Sequence, residues 1–259
     1  MYDIDIRVAE LYDQLERDTQ DVDLIQGFMN ASKPVRILEP FCGTGRILIP
    51  LALAGHQLHG LDQAKGMLAR ARMKVALLPD KVKARIQLEE MNVTEDVWPR
   101  GFDVLILGGN CFYELGSPEE QESCVITAAR SLKPGGYVYV DNNHHPEGPL
   151  SKKWQVEGVF PAFPTGISWD GTHFESTKET IWWDVEFRLI KIKREINITF
   201  ADGRVAKKEM VQHKHPVSKE EVAGWLENHG FEIIALFGDR QGNLFDDESN
   251  RAIFWARKK

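Results

Sequence analysis

Val35-Arg36-Ile37-Leu38-Glu39-Pro40-Phe41-Cys42-Gly43-Thr44-Gly45-Arg46 decides the fold. A short apolar run ends in an acidic residue, and a Gly-Thr-Gly loop follows at once. Ile47 to Ala54 carries an amphipathic helical pattern closed by Gly55, and a second apolar run, Gln57 to Leu61, ends in Asp62. Strand, glycine loop, helix, strand and acid in this order is the sequence form of a nucleotide-binding crossover. Asp62 stands about 20 residues past the loop, where such a crossover sets a carboxylate against ribose hydroxyls.

The alternation continues outward. Helix 64–78 follows, then strand Ile86–Glu90, strand Asp103–Leu107, helix 118–132, a turn at Lys133-Pro134-Gly135-Gly136 and strand Tyr137–Asp141. Upstream, residues 5–30 place apolar side chains at helical spacing, up to a break at Ser32-Lys33-Pro34. Downstream, residues 146–180 are rich in Pro, Gly and aromatics. Two β-like runs, 180–200 and 204–215, meet at Ala201-Asp202-Gly203, a hairpin signal. Ser218, with Glu221 three residues on, caps a helix to His229. Strands Phe231–Phe237 and Arg251–Arg257 have no helix between them and should pair antiparallel. The expected fold is α/β: a doubly wound, Rossmann-like, mostly parallel seven-stranded sheet with an antiparallel last strand and a small antiparallel β insertion.

The glycine loop departs from the dinucleotide pattern. Phe41 stands two before Gly43, and Ile47-Leu48 occupy the place of a third glycine. Glu39 at the strand end would repel a pyrophosphate and welcome an ammonium group. A ligand with adenosine at one end and an amino acid at the other fits, namely S-adenosylmethionine. Here the chain resembles the class I methyltransferases, whose first motif reads acid-x-Gly-x-Gly-x-Gly against Glu39-Pro40-Phe41-Cys42-Gly43-Thr44-Gly45. The last, reversed strand is a feature of that family too.

The resemblance implies a cofactor set of Glu39, Phe41, Gly43, Thr44, Gly45, Arg46, Asp62, Gln63, Met67, Leu107 and Gly108, with Asn92 receiving the adenine amine and Met91 and Val93 flanking the ring. Gly108-Gly109-Asn110-Cys111-Phe112 is similar to small-molecule enzymes of the glycine N-methyltransferase group, implying Asn110 as a substrate ligand. That group holds a substrate carboxylate with an arginine after the fifth strand. The chain has Asn142-Asn143-His144-His145 there, which puts a glycine-type substrate in doubt. His144, His145 and His213 are candidate bases, and Tyr12 resembles a lid tyrosine. His213 and His215 are two apart and should share a strand face, but no further ligand cluster supports a metal. Trp154, Phe160, Phe163, Trp169, Phe174, Trp182 and Trp183 could wall a pocket or simply pack.

The domain plan is one methyltransferase domain over 1–259: a helical lid to 34, a cofactor core at 35–145, an insertion over the substrate site at 146–216, and a closing helix and hairpin at 217–259. Apolar residues make up 42 %, enough for a sizeable core, and the acidic start lacks signal-peptide blocks. Three cysteines without C-x-x-C spacing suit a reducing compartment, so a cytoplasmic protein is expected. A net charge of −7 argues against a nucleic-acid substrate. The expected activity is methyl transfer from S-adenosylmethionine to a nitrogen or oxygen of a small-molecule acceptor, with room for a homodimer and no membrane. The rivals are a nucleic-acid or protein methyltransferase, a nicotinamide oxidoreductase and a non-catalytic S-adenosylmethionine-binding protein.

Overall fold

Burial on both faces of the central strands sets the architecture. In β1 (Arg36–Pro40), Ile37 and Leu38 are fully buried in separate apolar clusters. In β4 (Phe102–Leu107), Val104 and Ile106 join the first of these and Leu105 and Leu107 the second. Side chains alternate across a strand, so such strands need helices on both sides. The computed structural model describes residues 5–29, 33–150 and 157–259 and has this arrangement.

β1 runs parallel to β2 (Gln57–Asp62) and to β4. β2 runs parallel to β3 (Ile86–Glu90), and β4 to β5 (Leu132–Asn143). β11 (Arg251–Lys258) lies antiparallel between β5 and β10 (Phe231–Phe237), giving the order β10-β11-β5-β4-β1-β2-β3. Only the last strand is reversed, as the sequence predicts. α2 (Gln20–Phe28) and α3 (Leu48–Leu53) cover one face with Val22, Ile25, Leu48 and Leu51. α6 (Pro118–Ser131) and α7 (Lys219–Asn228) cover the other with Cys124, Val125, Val222 and Leu226. The capping box at Ser218 and Glu221 is present.

Several boundaries differ from expectation. The N-terminal helical stretch is two helices, α1 (Ile6–Leu15) and α2. The Asp18 carboxylate accepts from the Gln20 N–H at 3.0 Å between them, offering the backbone an alternative to helix. α4 (Lys65–Ala76) stops short, and a one-turn α5 (Asp80–Lys83) follows Pro79. Lys133-Pro134-Gly135-Gly136 lies inside β5 as an irregularity, where pairing jumps from Phe102↔Leu132 to Val104↔Tyr137. Space is tight there, because a Cβ on Gly136 would stand 3.0 Å from the Lys133 carbonyl oxygen and 3.1 Å from that of Asp103.

The insertion is a four-stranded antiparallel sheet of β6 (Phe160–Ile167), β7 (His173–Asp184), β8 (Leu189–Thr199) and β9 (Val205–Lys214). The Ala201-Asp202-Gly203 turn joins the last two as expected, but the run 180–200 is broken by a turn at 185–188. Arg188 takes φ 54 there without a glycine to announce it. β6 was hidden by Pro161, Pro164 and Gly166, which only an edge strand tolerates. Phe174, Ile196 and Ile198 of this sheet share a cluster with Val8 and Leu11 of α1 and Met67 of α4, so α1 is wedged between the two sheets. Among the described residues, no helix is long and apolar enough to cross a membrane.

A buried chain of alternating charge ties the elements beside β5. Asp141, fully buried, accepts from Arg240 Nε at 2.9 Å and from Arg251 Nη1. Arg240 Nη2 lies 3.7 Å from Asp21, also fully buried, which holds Arg46 in a forked pair. Asp141→Ala leaves Arg240 and Arg251 without their carboxylate. It is expected to cost about 3–5 kcal/mol in urea unfolding, and a loss below about 1 kcal/mol would show the network to be solvated.

Candidate active site

A cavity of about 220 Å³ opens at the carboxyl ends of β1, β2 and β4. Glu39 reaches it from β1, Phe41 from the loop that follows, Asp62 from β2, and Gly108, Gly109 and Cys111 from the segment after β4. Tyr12 of α1 and Phe163 of β6 close the far side, with rings edge-on at 6.3 Å.

The loop after β1 is shaped by backbone hydrogen bonds. Cys42 N–H donates to the Leu61 carbonyl at 2.9 Å, and Gly43 N–H to Asp62 Oδ2 at 2.8 Å. Phe41, in place of the family's first glycine, takes φ 63, a left-handed conformation that costs a side-chain-bearing residue about 1–2 kcal/mol. Phe41→Gly should therefore be about 1 kcal/mol more stable than Phe41→Ala in chemical denaturation, both lacking the ring. Equal stabilities would mean the loop relaxes. The close helix approach that a third glycine would permit comes from β2 instead: a Cβ on Gly60 would stand 2.5 Å from Leu48 Cδ1 and 2.8 Å from Cys42 Sγ. Gly108 is equally constrained, its Cβ falling 2.7 Å from Ile47 Cδ1.

The electrostatics centre on two carboxylates. Glu39 is 4 % exposed and its Oε2 has no hydrogen-bond partner. Burial lifts its carboxyl well above the usual range, with Arg46 opposing. Burial also raises Asp62, against N–H donation from Ala64 at 2.8 Å and from Gly43. Tyr12 is raised by burial too, with Arg46 again opposing. α1 is pinned over the loop by Asp13, which accepts from Thr44 Oγ1 at 2.6 Å and from Arg70 Nε and Lys74 Nζ at 2.8 Å each.

The family model described as a methyltransferase domain matches residues 38–138, which run from within β1 to within β5 and hold most of this cavity's lining. Over this stretch the chain is similar to a methyltransferase domain. A ubiquinone biosynthesis O-methyltransferase from Alkalilimnicola ehrlichii is 29 % identical over 157 residues, 60 % of this chain. The chain spans 60 % of the length of that curated relative. Among solved structures, the CcbJ methyltransferase from Streptomyces caelestis superposes with a TM-score of 0.73 at 19 % identity, covering 100 % of this chain and 99 % of that one. CalS10, an amino pentose methyltransferase from Micromonospora echinaspora, gives 0.64 at 18 % identity, with 100 % of each chain covered.

Of the residues singled out from the sequence, the central sheet, α4 and α1 bring Tyr12, Glu39, Phe41, Gly43, Arg46, Asp62, Met67 and Gly108 to the cavity. The others sit elsewhere. Thr44 holds Asp13, Gly45 turns the loop at φ 77, Gln63 follows Asp62 outside the lining, and Leu107 is fully buried in the core. Asn92 Oδ1 accepts from the N–H and hydroxyl of Thr94, closing its own turn, while Val93 and Met91 pack into the core.

Asn110, at φ 62, accepts from Asn143 N–H at 2.9 Å and so clamps the loop after β4 to β5. His144 Nδ1 accepts from Lys219 N–H at 3.0 Å, capping α7, and burial lowers its pKa. His213 is exposed on β9, whereas His215, past the strand's end, is buried between Gln121 and Glu221. The two histidines therefore do not share a face. Trp169, Trp182 and Trp183 are exposed, Phe174 is core, and Trp154 lies outside the described residues.

The sequence reading missed Cys42, Ile47, Ala64, Cys111 and Glu114 as lining residues, and it raised Phe163 only among several aromatics. Cys42 and Cys111 are buried thiols, pushed well above the usual range by burial, so neither is a ready thiolate nucleophile.

Proposed function

We propose that the protein transfers a methyl group from S-adenosylmethionine to a nitrogen or oxygen of a small molecule. The observation that carries this is Glu39: a buried carboxylate with an unpartnered oxygen, beside Asp62, at a cavity where a Cβ on Gly108 would stand 2.7 Å from Ile47 Cδ1. Glu39 would hold the ammonium of the methionyl end, Asp62 the ribose hydroxyls, and Gly108 and Gly109 would let the backbone approach closely. When bound, the cofactor supplies an electrophilic methyl on a sulfonium whose leaving group is a neutral thioether. The chain's part is then to orient acceptor and donor in line and keep water out. Tyr12 and Phe163 would do so as an aromatic roof, with α1 serving as a lid over the core at 35–145.

A small acceptor agrees with the second sheet reaching over the cavity through Phe163 and with a net charge of −7, which disfavours a phosphate backbone. The similarity to an O-methyltransferase and an amino pentose methyltransferase supports the same class. The test is incubation with methyl-labelled S-adenosylmethionine and a panel of small amines, amino sugars and phenols. Label transferred to a panel member, with one thioether formed per methyl, is the expected result. Tight cofactor binding with no transfer to any member would favour the non-catalytic reading.

A further inference from the structure

The cavity holds a third carboxylate that the cofactor reading leaves unused. Glu114 ends the short 3₁₀ turn Cys111–Glu114 after β4 and lines the cavity with Tyr12 and Phe163. Its side chain is 41 % exposed. Among the described residues, its one hydrogen-bond partner is Lys214 of β9, with Nζ 3.4 Å from Oε2. Lys214 is committed elsewhere: the same Nζ donates to the Tyr113 carbonyl at 2.6 Å and stands 4.6 Å over the Tyr113 ring. Arg194, the other nearby cation, donates to the Phe163 carbonyl at 2.9 Å. Both cations hold up the wall, and neither lines the cavity. Arg46, the lining cation, is forked onto Asp21. Three carboxylates therefore face the cavity against one cation that is already paired.

We propose that Glu114 faces the acceptor and that the acceptor is an amine. This rests on the methyl-transfer reading above. The neutral amine's lone pair forms the N–C bond as the C–S bond breaks, and the pair of the broken bond stays on sulfur. The positive charge passes from sulfur to nitrogen, and the methylammonium product then releases its proton to water. A carboxylate at the nitrogen favours the state in which the charge has arrived there. A hydroxyl acceptor would instead need a base to take its proton as the bond forms, and an ordinary carboxylate is a weak base for a hydroxyl. Lys214 is a positioning residue that fixes Glu114 and the Tyr113 backbone. Glu114 is the group that touches substrate.

Sinefungin tests this without knowledge of the acceptor. An amine-bearing carbon replaces its methylsulfonium, so its ammonium projects where the methyl would go. Calorimetric titration of sinefungin and S-adenosylhomocysteine into wild type and Glu114→Gln gives an affinity ratio for each protein. The expected wild-type ratio favours sinefungin by about tenfold or more, falling to near one in Glu114→Gln with S-adenosylhomocysteine affinity unchanged. The same ratio in both proteins overturns the proposal. So does methylation of glucose but not glucosamine by the wild-type enzyme. Failure of both ligands to bind wild type would overturn the methyl-transfer reading itself, a distinguishable result.

Discussion

Glu39→Gln is expected to stabilise the ligand-free protein and to remove most of its affinity for S-adenosylmethionine. Glu39 is buried with one oxygen unpartnered, and burial holds its carboxyl well above the usual range. An uncompensated buried polar group costs about 1–3 kcal/mol, and glutamine removes the charge part of that cost. With ligand, the ammonium loses a charge-assisted partner worth about 1.5–3 kcal/mol, a loss of about ten- to a hundredfold in affinity.

The pH dependence follows from the raised carboxyl. Between the ordinary carboxylate range and Glu39's own higher pKa, the folded protein holds a proton that the unfolded chain has released. Stability of the ligand-free wild type therefore falls as pH rises through that window, and Glu39→Gln removes this contribution. An ammonium ligand draws out the ionised form, so binding releases a proton. Titration in two buffers of different ionisation heat measures that release, which should vanish in the variant. A variant that binds as tightly as wild type would remove Glu39 from the cofactor site.

Asp62→Ala is the second large effect, and it strikes fold and site together. Asp62 accepts from Gly43 N–H and Ala64 N–H at 2.8 Å each. Losing both acceptors is expected to cost about 2–5 kcal/mol in urea unfolding. S-adenosylhomocysteine affinity should fall at least about tenfold, by loss of the ribose contacts and of the loop's shape. A fall in affinity with unchanged stability would mean that Asp62 binds ligand without holding the loop.

Sequence reading went furthest where local pattern and global fold agree. Glu39, Gly43 and Asp62 are separated by short stretches, and strand–loop–helix geometry brings them to one cavity with little freedom. The parallel sheet and the reversed β11 were legible because helices separate parallel strands, while β10 and β11 have none between them. Asn110 and His144 were misleading, since polar residues in loops answer first to the backbone. One clamps Asn143 and the other caps α7. Lys214 and Glu114 lie 100 positions apart and meet only through the packing of two sheets. Nothing local marks them, just as nothing local joins Asp21, Asp141 and Arg240. The turn at Arg188 was invisible for a simpler reason: it takes a positive φ without glycine.

Calorimetric titration of the whole protein with S-adenosylmethionine, S-adenosylhomocysteine and NAD tests the central claim most directly. Binding of the first two on the order of micromolar, with no heat from NAD, is the predicted result. Binding of NAD alone would contradict the reading of Glu39 and of the glycine loop, and the proposed function with it.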